Sequence, residues 1–187
     1  MKAKLALAAV AVVAVGFLTG CTGATVALTP AAHDATNPKC ASVIADLELN
    51  TPTVSGLSPR ITDAQGTAAW GTPASILLRC GVPVPDPTSN LPCVTVNGID
   101  WLRDAHKNEV YVFTTYGRDP AVAVTVDSSN VKADGNQALT DVANAVGEIP
   151  QEHKCISPEA TLQDGEPVNT PTAKPSATPM PTATAKP

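Results

Sequence analysis

The chain has 187 residues and a formal net charge of −5, with 12 Lys and Arg against 17 Asp and Glu. That acidic balance excludes broad electrostatic binding to nucleic acid and counts against adhesion to an anionic lipid surface. Aromatic residues make up only 3%, so the chain also lacks the stacking faces of a base- or sugar-binding platform.

The first residues read as an export signal. Lys2 and Lys4 form a short positive region, and an unbroken apolar run, LALAAVAVVAVGF, follows from Leu5 to Phe17. That run suits a signal-peptide core and is too short for a bilayer, which needs roughly 17–25 apolar residues. Leu18-Thr19-Gly20-Cys21 then resembles the bacterial lipobox, in which the cysteine thiol takes a diacylglycerol and becomes the mature N-terminus. Residues 1–20 are therefore expected to be a lipoprotein signal peptide, with Cys21 lipidated and the protein held on the extracytoplasmic face of the cell membrane. Two acyl chains suffice for stable anchoring where one is marginal. Cleavage would move the formal charge from −5 to −7.

Five cysteines are an odd number, and lipidation of Cys21 leaves Cys40, Cys80, Cys93 and Cys155 in an oxidising compartment. Four such thiols read as two disulfides with three connectivities. Of these we favour Cys80–Cys93, which closes the proline-rich loop GVPVPDPTSNLP, and Cys40–Cys155, which ties the ends of the folded region together. No CxxC occurs, and no structural-zinc spacing is present, so neither metal nor other cofactor is expected.

Three regions follow the signal. Residues 21–36 lack periodicity and read as a tether, able to hold a domain roughly 50 Å from the membrane if fully extended. Residues 37–156 hold the four remaining cysteines and nearly all the large apolar residues, and read as one domain. Residues 157–187 contain seven of the eighteen prolines and form a Pro/Thr/Ala-rich tail that cannot bury enough apolar surface to order itself. Its threonines are also candidates for O-glycosylation.

Within the domain, Asn37-Pro38 predicts a helix start, with Asn as the cap and Pro at the first helical position. Cys40, Val43, Ile44 and Leu47 then share one face. Residues 51–74 read mostly as loop, with a short helix around Asp63–Ala69. ASILLRC is a predicted strand, and CVTVNGIDWL a hairpin turning at Asn97-Gly98. EVYVFTTY is apolar on both faces, and AVAVTV alternates through Val122, Val124 and Val126. A second helix is predicted from Asp134 or Asn136, with a stripe of Leu139, Val142, Ala143 and Val146, stopped by Gly147 and Pro150. The order predicts an α+β fold: an antiparallel sheet of three to five strands with two helices packed on one face and two disulfides.

Trp70-Gly71, Cys80-Gly81, Asn97-Gly98 with Trp101, and Tyr116-Gly117-Arg118 occur in this order, and the stretch from about 40 to 150 resembles the DUF3515 family. The resemblance implies an actinobacterial envelope location and no assigned activity, and it carries over no catalytic residues.

Candidate contacts with a ligand or partner are Trp70, Arg79, Trp101 and Arg118. Each tryptophan is weighed against a plain core role. If their strand ends meet, Arg79 and Arg118 offer two guanidinium forks for a carboxylate or phosphate; the alternative is that each pairs with a local aspartate such as Asp119 or Asp100. No GxSxG, HExxH or Cys–His pair is present, and SSNVKADG fails as a calcium loop because Val131 falls where an oxygen is needed. His33, His106 and His153 read as exposed loop residues. The sequence therefore predicts no enzyme. It predicts a lipid-anchored envelope module with a membrane attachment, an envelope protein partner and no nucleic acid; the second reading is a small-ligand binder serving a membrane partner.

Overall fold

A seven-stranded, wholly antiparallel sheet carries two helices on one face in the computed structural model, which describes residues 24–155. The signal peptide, Cys21 and the 157–187 tail lie outside the described residues. The elements are α1 (Pro38–Asn50), β1 (Pro59–Arg60), β2 (Thr67–Trp70), β3 (Ile76–Val82), β4 (Cys93–Val96), β5 (Ile99–Ala105), β6 (Val110–Thr115), β7 (Ala121–Asp127) and α2 (Gly135–Gly147). Across the sheet the order is β1-β2-β3-β7-β6-β5-β4.

The helices form where their caps direct. The Asn37 side chain accepts the Lys39 N–H at the start of α1, and the Asp134 side chain accepts the Gln137 N–H at the start of α2. These contacts satisfy N–H groups that the first helical turn leaves without partners. Cys40, Val43 and Leu47 of α1 and Leu139, Val142 and Val146 of α2 are buried against Ile76, Leu78, Val122, Val124 and Val126 of the sheet. Burying a side chain of this size stabilises by about 1.5–3 kcal/mol.

Seven strands replace the three to five expected. The additional pair, β1 and β2, lies in the stretch read as loop, and Thr67–Trp70 is a strand where a short helix was anticipated. Its sequence, TAAW, carries small side chains and no alternation. What makes it a strand is pairing with β3, Ala68 to Leu78 and Trp70 to Ile76.

Both disulfides form, with a pairing other than the favoured one: Cys40–Cys80 and Cys93–Cys155, at Cα separations of 5.5 and 6.1 Å. Strand order explains the correction. β7, β6 and β5 stand between β3 and β4, which puts Cys80 and Cys93 four strand spacings apart. At about 4.8 Å per spacing that is roughly 19 Å, whereas a disulfide needs Cα atoms within about 7 Å. Cys80 instead faces the helices, directly under the start of α1.

The described part of the stretch read as a tether makes contacts with the domain. Residues 24–36 lie along the β1 edge: the Val26 N–H donates to the Ile61 carbonyl at 2.8 Å, Leu28 is buried, and the Asp34 N–H donates to the Gly81 carbonyl at 3.0 Å. Asp63 clamps this segment, accepting from the Leu28 N–H at 2.6 Å and the Thr29 N–H at 3.1 Å. The Leu28 bond is the main reason the Asp63 carboxyl sits below the usual carboxylate range. At the other edge, the Glu152 N–H donates to the Gly117 carbonyl, and Cys155 is bridged to β4.

Both terminal segments pass over a glycine with left-handed backbone, one in β3 and one in the β6–β7 turn. Gly81 (φ +83°) lies under the Asp34 carbonyl, and Gly117 (φ +71°) under the His153 backbone. A Cβ at either place would overlap those backbone atoms, and a non-glycine residue resists this φ by about 1–2 kcal/mol before any clash. Gly81→Ala and Gly117→Ala are each expected to cost about 2 kcal/mol or more, read as a lower urea midpoint with unchanged slope.

Candidate functional site

Each sequence-predicted contact residue is occupied within the fold. Trp70 on β2 is 2% exposed and packs in the core beside Ile76, while Trp101 on β5 is sealed. The indole Nε1 of Trp101 is buried and has no hydrogen-bond partner. Arg79 projects from the sheet face opposite the helices, where its guanidinium donates to the Leu28 carbonyl at 2.5 Å and the Pro30 carbonyl at 3.1 Å. Arg118 is buried in the β6–β7 turn and donates to the Ile149 carbonyl. The two arginines do not form a joint fork for an anion, and neither makes an ion pair with Asp119 or Asp100. One holds the N-terminal segment and the other the C-terminal segment.

Asp100, on β5, organises the C-terminal end. Its carboxylate is 6% exposed and accepts from Thr95 Oγ1 at 2.6 Å, Gln151 Nε2 at 2.9 Å and the Cys155 N–H at 2.9 Å. Burial pushes this carboxyl up, but those bonds, with the charge of Lys154, outweigh it and leave it below the usual range. Burial also lowers Arg118 from its ordinary value, and the Asp100 charge works against that. The sequence flags Asp100 as a local partner for an arginine; its hydrogen-bond partners are instead Thr95, Gln151 and Cys155, 5 to 55 residues away.

An open cleft of about 640 Å³ lies between the β2–β3 turn and the 127–132 loop. Its wall is polar. Asn130 Nδ2 donates to Ser75 Oγ at 2.8 Å, Ser75 Oγ donates to the Pro73 carbonyl at 3.0 Å, and Asp127 Oδ1 accepts from Ser129 Oγ at 2.6 Å and the Ser129 N–H at 3.0 Å. Lys132 stands exposed at the rim. The volume falls in the range of small-molecule sites. A second hollow, of about 310 Å³, runs beside α1 past Ala41, Ile44 and Gln65.

The cleft and the entering chain share one arginine. Arg60 Nη1 donates to the Gly71 carbonyl at 2.9 Å and Thr72 Oγ1 at 3.1 Å, on the cleft wall, and Nη2 donates to the Ala24 carbonyl at 2.6 Å. Sequence reading missed this residue, because nothing local announces a guanidinium that bridges partners 11 and 36 positions away.

A family model described as a protein of unknown function (DUF3515) matches residues 3–154. The chain belongs to the DUF3515 family. No curated protein and no solved structure matches it. In this DUF3515 chain, the Cys-Gly and Tyr-Gly-Arg signatures are where the terminal segments pass over β3 and over the β6–β7 turn, and Trp-Gly marks the edge of the cleft. Among the described residues no cluster of three or more His, Cys, Asp or Glu side chains is placed to hold a metal ion, and no helix is long and apolar enough to cross a membrane.

Proposed function

We propose that this DUF3515 protein is a lipid-anchored, extracytoplasmic envelope module that works by holding a protein partner, not by catalysis. The observation that carries this reading is the use of cysteine. All four cysteines among the described residues are bridged, so Cys21 is the odd one of five, and it stands in the lipobox-like Leu18-Thr19-Gly20-Cys21. Disulfides of this kind persist outside the reducing cytoplasm. The groups that catalysis or tight ligand capture would draw on, Arg79, Arg118 and Asp100, are spent on fastening the chain ends.

Labelled palmitate is expected on the wild-type chain and absent from Cys21→Ser, which should move to the soluble fraction. An unmodified thiol at position 21 in mature material would defeat the proposal. The polar cleft supports the alternative of a small-ligand binder. Recovery of a stoichiometric small molecule, and no cross-linked protein, from native membranes would favour it.

A further inference from the structure

We propose that the end of the domain bearing Ala24, the β2–β3 turn and the 128–133 loop rests on the bilayer, with Ile61 and Val131 in the headgroup layer. This deepens, and rests on, the lipid-anchor reading. Only three peptide steps separate Cys21 from Ala24, a reach of at most about 11 Å. The headgroup layer alone is roughly 5–8 Å thick. Ala24 is held by Arg60, so a lipid on Cys21 leaves the domain no room to stand away from the surface.

Which end faces the lipid follows from strand register. β3 begins at Ile76, opposite Val126, and ends at Val82, opposite Ala121. The 71–75 turn and the 128–133 loop therefore share one end, and the 83–92 loop leaves β3 at the other. The N-terminal segment starts beside Arg60 and Thr72 at the first end and climbs to Gly81 at the second. Two of the most exposed large apolar side chains flank its entry. Val131 is 95% exposed across the cleft from Thr72, and Ile61, 71% exposed, accepts the Val26 N–H through its carbonyl. Lone apolar side chains on a surface need no explanation; two beside the point where an acyl anchor enters have a ready occupant, the anchor's own bilayer. Asp127 and Asp134 lie near Lys132 at this end, so the contact is apolar rather than a charge attraction, and high salt should leave it in place.

The test uses the chain from Cys21 onward, coupled through Cys21 to a maleimide lipid in phosphatidylcholine vesicles, so that it does not depend on lipidation in the cell. Val131→Trp and Ile61→Trp are expected to emit blue-shifted light and to lose at least half of it when the vesicles contain brominated phosphatidylcholine. Val84→Trp, past the far end of β3, should keep water-exposed emission; the wild type, with Trp70 and Trp101 buried, sets the background. Arg60→Ala, Asp63→Ala and Arg79→Ala together remove the side chains that hold this segment and should weaken the quenching while the protein stays vesicle-bound. Unquenched emission at 61 and 131, or equal quenching at 84, would overturn the proposal. The palmitate experiment tests the anchor separately, so the two failures are distinct.

Discussion

Replacing Cys93 and Cys155 together with serine is expected to lower stability by about 4 kcal/mol. The bridge closes a loop with a sequence separation of 62, and denatured-chain entropy assigns a loop of that size about 4 kcal/mol. Against a typical total of 5–15 kcal/mol, this is a large share. The loss should not be spread evenly over the molecule. Cys155 is the last described residue of the segment that also presents Gln151 and its own N–H to Asp100, so the variant should first release residues 151–155. Hydrogen exchange would show early loss of protection at the amides of position 155 and Glu152, and urea unfolding would give the global figure. A midpoint equal to wild type would mean that the bridge is incidental to the fold.

The second large effect is expected at Asp100. Asp100→Ala removes the acceptor for three hydrogen bonds and the negative charge that offsets buried Arg118. Hydrogen bonds to a charged acceptor contribute about 1.5–3 kcal/mol each, so losing all three is expected to cost about 3 kcal/mol or more. The same group sets a pH dependence. Its folded-state pKa is lowered, so its contribution is complete above the unfolded carboxylate value of about 3.9 and is lost as pH falls through that value toward the folded one. Wild type should therefore lose stability more steeply than Asp100→Ala as pH falls below about 4. Parallel pH profiles for the two proteins would remove Asp100 from that role.

Much of the fold was legible because it is written locally. Asn37-Pro38 and Asp134 cap their helices through contacts two or three residues away. Five strands follow from alternation or from the Asn97-Gly98 turn. What could not be read depends on strand order. β7, β6 and β5 stand between β3 and β4, which keeps Cys80 away from Cys93, and Cys80 is bridged to Cys40 instead. β1 and β2 were invisible because Ala68 and Ala69 show no pattern until β3 supplies a partner.

The site was less legible than the fold. Arg79 and Arg118 stand out in the sequence for their scarcity and placement, but their partners are backbone carbonyls 51 and 31 residues distant. No residue type marks a carbonyl acceptor in advance. The same holds for Asp63, whose capture of the Leu28 N–H turned an apparent linker into part of the sheet edge.

The two bridges also shorten the protein mechanically. Followed through sulfur, the covalent path from Cys40 to Cys155 skips to Cys80, runs along the backbone to Cys93, and skips again. Under tension only that middle stretch can pay out, roughly 45 Å even when drawn straight. With its hydrogen bonds all broken, the body of the protein would still act as a short link that reaches its limit once those residues are drawn straight.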